Sequence, residues 1–579
     1  MTVLRVGNAS GFYGDRFSAW QEMLDGGELD VLTGDYLAEL TMLILGRDLL
    51  GDPTKGYAKT FLRQLEPCLG KAVDRGVTIV TNAGGLNPAG LADAVRTLAD
   101  KLGLPVAVGH VTGDAVSVPG ALTANAYLGG FGIAECLLGG ATVVVTGRVT
   151  DASLVVGPAI AHFGWTRADL DALAGATVAG HILECGAQAT GGNYAFFTEL
   201  PDRGRRPGFP IAELSPDGSC VITKHPGTGG AVTVETVTAQ LLYEIGAPAY
   251  LGPDVTTHFD TIRLAQAGPD RVTVSGVSGS PPPDTVKVGV NTLGGHRNTM
   301  SFVLCGLDIE AKAALVREQL EASIGGHGLT WRLARTDHPD ADTEEAAAAL
   351  LTVHIHDADP NRAGRAFSQA AVELALASYP GCTLTTTPGN GGPYGVFRAE
   401  YLSQSDVDHR AVLPGGREAA IPPPSAVAAT DPGQEDGAAG TESATSGPAS
   451  GTAGAGGPAS GTAGAADPTA TIRRPLGTVV GARSGDKGGD ANLGVWARTD
   501  AGYRWLREYL TVAEVRRLLP ECAGLPVQRY DLPNLRAVNF VLRGLLGEGV
   551  AASTRFDPQA KALGEWLRSR LVDVPEELL

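Results

Sequence analysis

Small residues mixed with acids, amides and a few cations recur at the ends of apolar runs in the first 150 residues. The first such segment is Gly7-Asn8-Ala9-Ser10-Gly11-Phe12-Tyr13-Gly14-Asp15-Arg16. Its glycines and Ser10 suit backbone N–H groups held out to a phosphate or carboxylate at a helix start. It matches neither a Walker A loop nor G-x-G-x-x-G. Next come Thr33-Gly34-Asp35-Tyr36, then Thr81-Asn82-Ala83-Gly84-Gly85-Leu86-Asn87-Pro88. Gly109-His110-Val111-Thr112-Gly113-Asp114 and Thr146-Gly147-Arg148-Val149-Thr150-Asp151 follow.

Asp35, His110, Asp114 and Asp151 are the candidate acid–base groups, and the carboxylates also suit a hard divalent cation. No H-x-x-x-H or H-E-x-x-H spacing points to zinc, so no metal ligands are assigned, and no cofactor is specified. Arg16 and Arg148 have the fork geometry for an anionic substrate. Ser10, Gly11, Asn82, Gly84, Gly85, Gly191 and Asn193 complete the candidate binding set. The competing reading is that each Asp merely caps the next helix.

Further glycine-rich segments surround Cys185, Lys224-His225, His296 and Asn390. Cys185 is a conceivable nucleophile, but a helix C-terminus there raises a thiol pKa. His225 is a second acid–base candidate, and His296 reads as a structural histidine. Residues 482–492 place Ser484, Asp486 and Lys487 in what reads as a charged loop, longer than a two- to five-residue hairpin turn and suited to an anion.

Positioning these groups requires a scaffold. Apolar β-branched runs at Val3–Val6, Leu29–Leu32, Val77–Thr81, Val106–Val108 and Thr142–Thr146 alternate with helical segments, including Tyr36–Leu45, Leu62–Val73 and Pro88–Leu102. That pattern predicts a mainly parallel sheet covered on both faces. In such sheets ligands sit beyond the strand carboxyl ends, which share one edge, so five polar strand ends describe one pocket. After about residue 215 the pattern becomes α+β, with strands such as Thr257–Leu264 and Val286–Val290 of unassigned pairing.

Residues 421–470 hold 14 Ala, 10 Gly and 7 Pro with no aromatic, Lys or Arg, and GPASGTAGA occurs twice. Such composition predicts a flexible linker. It divides an acidic body, 1–420, from a mildly basic small one, 471–579. The small body reads as two strand pairs with helices at Tyr503–Leu518 and Pro558–Leu571, an α+β sandwich.

The 579 residues carry a net charge of −18, which argues against general nucleic-acid or anionic-membrane binding. No apolar run approaches a membrane span, and the first residues read as a strand, not a signal peptide. Seven widely spaced cysteines without CxxC read as reduced thiols of a cytoplasmic protein.

Taken together, GNASGFYGDR (7–16), LTGDYLAELTM (32–42), TNAGGLNP (81–88), VTGD (111–114), TGRVTDASLVVGP (146–158), CGAQATGGN (185–193) and GARSGDKGGDANLG (481–494) resemble the acyclic terpene utilisation (AtuA) family. The resemblance covers both bodies and skips the linker. It implies a large N-terminal domain, a small ferredoxin-like domain, and a place in citronellol and geraniol catabolism beside enzymes of branched acyl-CoA thioesters. It brings no established catalytic residues. The expectation is an enzyme acting on a small molecule, an acyl-CoA thioester, by hydration or lyase chemistry. The alternatives are a noncatalytic ligand-binding or assembly protein for a neighbouring acyl-CoA carboxylase or dehydrogenase, and a metal-dependent hydrolase. A homo-oligomer is compatible with either of the first two readings.

Overall fold

The computed structural model describes residues 3–428 and 470–579. Most of the 421–470 segment, including the repeated nonapeptide, lies outside the described residues.

The large body opens with β1 (Leu4–Asn8), α1 (Ala19–Gly26), β2 (Val31–Gly34), α2 (Glu39–Gly51), α3 (Lys59–Leu65), α4 (Leu69–Arg75), β3 (Thr78–Thr81), α5 (Pro88–Leu102), β4 (Val108–Thr112), β5 (Thr123–Ala126), α6 (Phe131–Leu138), β6 (Val143–Thr146), α7 (Ser153–Phe163) and α8 (Leu170–Glu184). Strands β1, β2, β3, β6 and β4 pair in parallel in that spatial order. Among them β3 and β6 are buried on both faces, as their unbroken β-branched runs demand. β7 (Pro210–Leu214) and β8 (Cys220–Lys224) add antiparallel strands beyond β1. Arg263–Gly268, Arg271–Ser275, Arg410–Val412 and Glu418–Ala420 complete an 11-stranded sheet.

Several expected boundaries move. The helix expected over Leu62–Val73 is two helices, α3 and α4, because Pro67 between them has no N–H to donate. The strand expected over Thr257–Leu264 is split by a turn at Phe259–Thr261. α7 and α8 cross a stretch to which the sequence pattern gave no elements. Nearly every residue of α8 is buried, so it has no polar face to betray its period. Gly294–Thr299 is not a loop. It lies within the 21-residue strand Thr285–Cys305, at a bulge where Gly295 takes φ +125°. That strand centres a second sheet and pairs with β5, Ala348–Asp357 and Gly392–Ser403.

The small body has a four-stranded antiparallel sheet of Val480–Lys487, Asp490–Ala497, Val527–Leu532 and Ala537–Leu542, with the last strand lying between the second and third. Helices Asp500–Tyr509, Val512–Leu518 and Leu563–Ser569 cover one face. The order is a circular permutation of the βαββαβ ferredoxin-like arrangement. The 482–492 segment is a tight hairpin, not a long loop. Lys487 pairs with Asp490 across a Gly488-Gly489 turn, and Gly488 has φ +64°. Polar side chains inside the strands disguised a diglycine turn. Thr471–Pro475 and Leu571–Pro575 pair as a separate two-stranded ribbon.

The bare sheet face of the small body packs on the large one through two glycines. A Cβ on Gly485 would lie 2.3 Å from the Tyr243 ring, and one on Gly494 would lie 2.6 Å from Leu242 Cβ. Phe196 of the large body is held between Arg498 and Arg568, whose Cζ atoms lie 4.8 and 4.9 Å from its ring centre. Arg498 also pairs with Glu199 and Glu235.

Candidate functional site

A cavity of about 640 Å³ lies at the carboxyl edge of β1, β2 and β6 and is closed on one side by the small body. Asp35 follows β2 and is 4% exposed. Its backbone N–H donates to Ser10 O at 2.9 Å. Its Oδ1 accepts from Asn82 Nδ2 at 2.7 Å and from the Leu37 N–H at 3.1 Å. Burial, reinforced by Asp151, pushes the Asp35 carboxyl well above its ordinary value.

Arg148 follows β6 and is equally buried. Its Nη1 donates to Leu37 O at 2.9 Å and to Asp151 Oδ1 at 3.1 Å. Its Cζ lies 4.1 Å from the Tyr127 ring centre. Burial raises the Asp151 carboxyl and Arg148 pulls it back, leaving it above its ordinary value. Glu39, at the start of α2, behaves oppositely. Burial raises the half-buried Glu39 carboxyl, but Lys287 and Arg148 hold it below the usual range.

Residues that sequence reasoning left out of the binding set complete the cavity. Asn8 Nδ2 donates to the last carbonyls of α8, Leu183 O and Glu184 O, and so fixes that helix end against β1. A Cβ on Gly11 would meet the Cys185 carbonyl carbon at 2.7 Å, so the glycine there serves close approach. Glu184 and Cys185 face the cavity from α8. Burial, with Asp151 and Glu244 adding like charge, lifts Glu184 well above its ordinary value. Burial and Glu184 lift the Cys185 thiol, as a helix C-terminus suggested. Behind them, His181 Nδ1 sits 3.0 Å from Glu184 Oε1, and burial lowers this histidine to about 4. Lys287, Tyr243 and Glu244 also line the cavity, as do Asp486, Lys487 and Lys561 of the small body. The apolar wall includes Leu37, Leu40, Leu251, Pro253 and Val286. The signal that could have found Glu184 is its place one residue before the CGAQATGGN motif.

Of the sequence-selected residues, Gly11, Asp35, Arg148, Asp151, Asn193, Asp486 and Lys487 line the cavity. The others do not line it. Asp114 accepts from the Arg148 backbone N–H and from Asn125 Nδ2. Asn82 positions Asp35, as above. Ser10 Oγ donates to Phe12 O. Gly84 and Gly85 are packing glycines, where a Cβ would meet Thr146 O at 2.4 Å and Leu45 Cδ1 at 2.4 Å. Gly191 sits at φ +109° beneath Leu200. Arg16 donates to Pro207 O and pairs with Glu22. Ser484 Oγ accepts from the Gly564 N–H. His110 lies within β4, opposite Val412 and Val145, where Arg96 and Asp93 are its charged neighbours. His225 binds Met23 O, and Lys224 binds Asp270 and Thr228 O. The expected amide cradle is spent internally, since the Gly11 N–H donates to Asp15 Oδ2 at 2.7 Å. Among the described residues, no three His, Cys, Asp or Glu side chains are arranged to hold a metal ion, and no helix is long and apolar enough to cross a membrane.

Residues 4–413 match the acyclic terpene utilisation family protein AtuA, and residues 474–573 match the AtuA ferredoxin-like domain. The chain belongs to the AtuA family. No curated protein and no solved structure matches it. AtuA membership suggests a role in acyclic terpene utilisation and accounts for the ferredoxin-like small body.

Proposed function

We propose that this AtuA-family chain is an enzyme that acts on a branched acyl-CoA thioester by acid–base chemistry, of the hydratase or lyase type. The observation that carries this reading is the unequal set of carboxyls around one cavity. Burial pushes Asp35 and Glu184 toward the acid form, while Asp151 lies against the fixed charge of Arg148. Carboxyls pushed apart in protonation divide the roles of acid and base.

In this scheme the Asp151 carboxylate takes a proton from water as the water oxygen bonds to the β-carbon of an unsaturated acyl chain. Asp35 or Glu184 delivers a proton to the α-carbon. The thioester oxygen, which gathers charge on the way, faces the positive Arg148. The apolar wall takes the acyl chain, and Lys287, Lys487 and Lys561 offer charge to the phosphates. The cavity volume falls within the roughly 300–1,000 Å³ of small-molecule sites. Cytoplasmic residence, as expected from the thiols, goes with a CoA substrate.

The test is thermal unfolding of the pure protein against geranyl-CoA, shorter branched acyl-CoAs and CoA alone, followed by turnover of any ligand that binds. Ligand at 100 times Kd adds about 2.7 kcal/mol. A shift with one acyl-CoA and not with CoA, together with product formation, supports the reading. Binding without turnover leaves a ligand-binding or assembly protein.

A further inference from the structure

Glu244 stands just beyond α9 (Val234–Leu241) with φ +58°, the left-handed region that a residue with a side chain seldom enters. Such conformations persist where the surroundings over-determine them, and they gather at functional sites. Here the surroundings belong to the small body. The Glu244 N–H donates to Asn492 Oδ1 at 2.9 Å. Asn539 Nδ2 donates to Gly246 O at 2.8 Å and Ile245 O at 3.3 Å, and Asn492 Nδ2 donates to Asn539 Oδ1 at 2.6 Å. Both asparagines are fully buried. The clamp closes only because Gly485 and Gly494 let the sheet reach Tyr243 and Leu242.

The clamped residue lines the cavity, and so does Asp486 of the hairpin. We propose that the small body is part of the reaction centre: its Asn492–Asn539 pair holds Glu244 in place, and Glu244 and Asp486, one carboxyl from each body, work in the same cavity as an acid–base pair. Asn492 and Asn539 are positioning residues. The charged and titratable groups around Glu244 are Asp486, Tyr243, Glu39, Asp151, Glu184, Cys185, His181 and Arg483. Burial, with Asp486 adding like charge, lifts Glu244 to about 7, and burial with Glu39 lifts Asp486 to about 6 against the pull of Lys561 and Lys287. Between those values one carboxyl of the pair is an acid and the other a base.

The inference deepens the acid–base reading of this cavity and rests on it, so one readout must not need turnover. The protonated-carboxyl band is followed by infrared titration of the full chain, alongside the pH profile of acyl-CoA turnover. Wild type should show a band lost near pH 7 that is absent in Glu244→Gln and moves toward the ordinary glutamate range in Asn539→Ala. Turnover should fall at least 100-fold in both Glu244→Gln and Glu244→Gly, and the limb near pH 7 should go with it. Glycine accepts the left-handed backbone, so Glu244→Gly should melt no lower than wild type. An infrared titration unchanged in Glu244→Gln, or wild-type turnover in Glu244→Gly, overturns the inference. The expected infrared changes with no turnover of any thioester by wild type overturn the acyl-CoA reading and leave the carboxyl pair standing.

Discussion

The Asp114 carboxylate accepts the backbone N–H of Arg148 at 2.9 Å, from a strand end that does not itself reach the cavity. Asn125 donates to the same oxygen at 2.8 Å. Gly147 is a glycine because a Cβ there would strike this carboxylate at 2.6 Å. Asp114 therefore sets the guanidinium that lines the cavity. Asp114→Ala strips the Arg148 N–H of its buried acceptor, which costs about 1–3 kcal/mol. The urea midpoint should fall and acyl-CoA affinity should weaken, read by calorimetry.

Asp151→Asn should behave differently. It removes one like charge from beside Asp35, and Arg148 keeps Leu37 O and the Tyr127 face. Thermal unfolding should be unchanged or slightly raised. Turnover should fall by roughly 10²–10⁴, the usual worth of a general base. Unchanged turnover would remove Asp151 from the proposed chemistry.

Asp486 gives a pH dependence with a defined sign. Burial, with Glu39 adding like charge, raises its folded pKa from 3.8 to about 6. Its contribution to stability is complete below pH 3.8 and is lost as pH rises through about 6. Asp486→Asn abolishes that loss. The variant's urea midpoint should gain on wild type from pH 4 to about pH 7, because Glu244 also loses its like-charged neighbour, then run parallel to it up to pH 8. A difference that narrows over the first interval would contradict the assignment.

Gly485→Ala adds a methyl group where the Tyr243 ring already sits. Overpacking of this kind costs about 1–3 kcal/mol, here directed at the contact between the bodies. Small-angle scattering should show a larger radius of gyration, and acyl-CoA affinity should drop. Gly524→Ala, at a small-body glycine with open space around it, is the control and should leave both unchanged.

Asp35, Arg148 and Asp151 line one cavity because parallel strands deliver their carboxyl ends to one edge, a placement legible in the sequence pattern. The same pattern could not tell lining residues from the shell behind them. Asp114 and Asn82 follow strand ends just as Asp35 and Asp151 do, yet each spends its side chain on a neighbour. His110 does not line the cavity, because it lies inside β4 and not past its end. Glu244 was illegible, and Glu184 legible only by its place beside the CGAQATGGN motif, for another reason. They follow from where α8 and α9 stop, and α8 has no polar face to mark its course. The hairpin hid because the polar Arg483 and Ser484 side chains are buried against Tyr243 and Gly564, not solvated in a loop.

The ribbon that joins Thr471–Pro475 to Leu571–Pro575 sets Thr471 opposite Pro575, so the two ends of the small body lie one strand spacing apart, about 5 Å. A unit with adjoining ends is a cassette. It can be lifted out and set into a surface turn of another protein without stretching either framework. It can equally be re-cut in the Leu532–Ala537 turn and joined across the ribbon, which would return the strands to the unpermuted ferredoxin order.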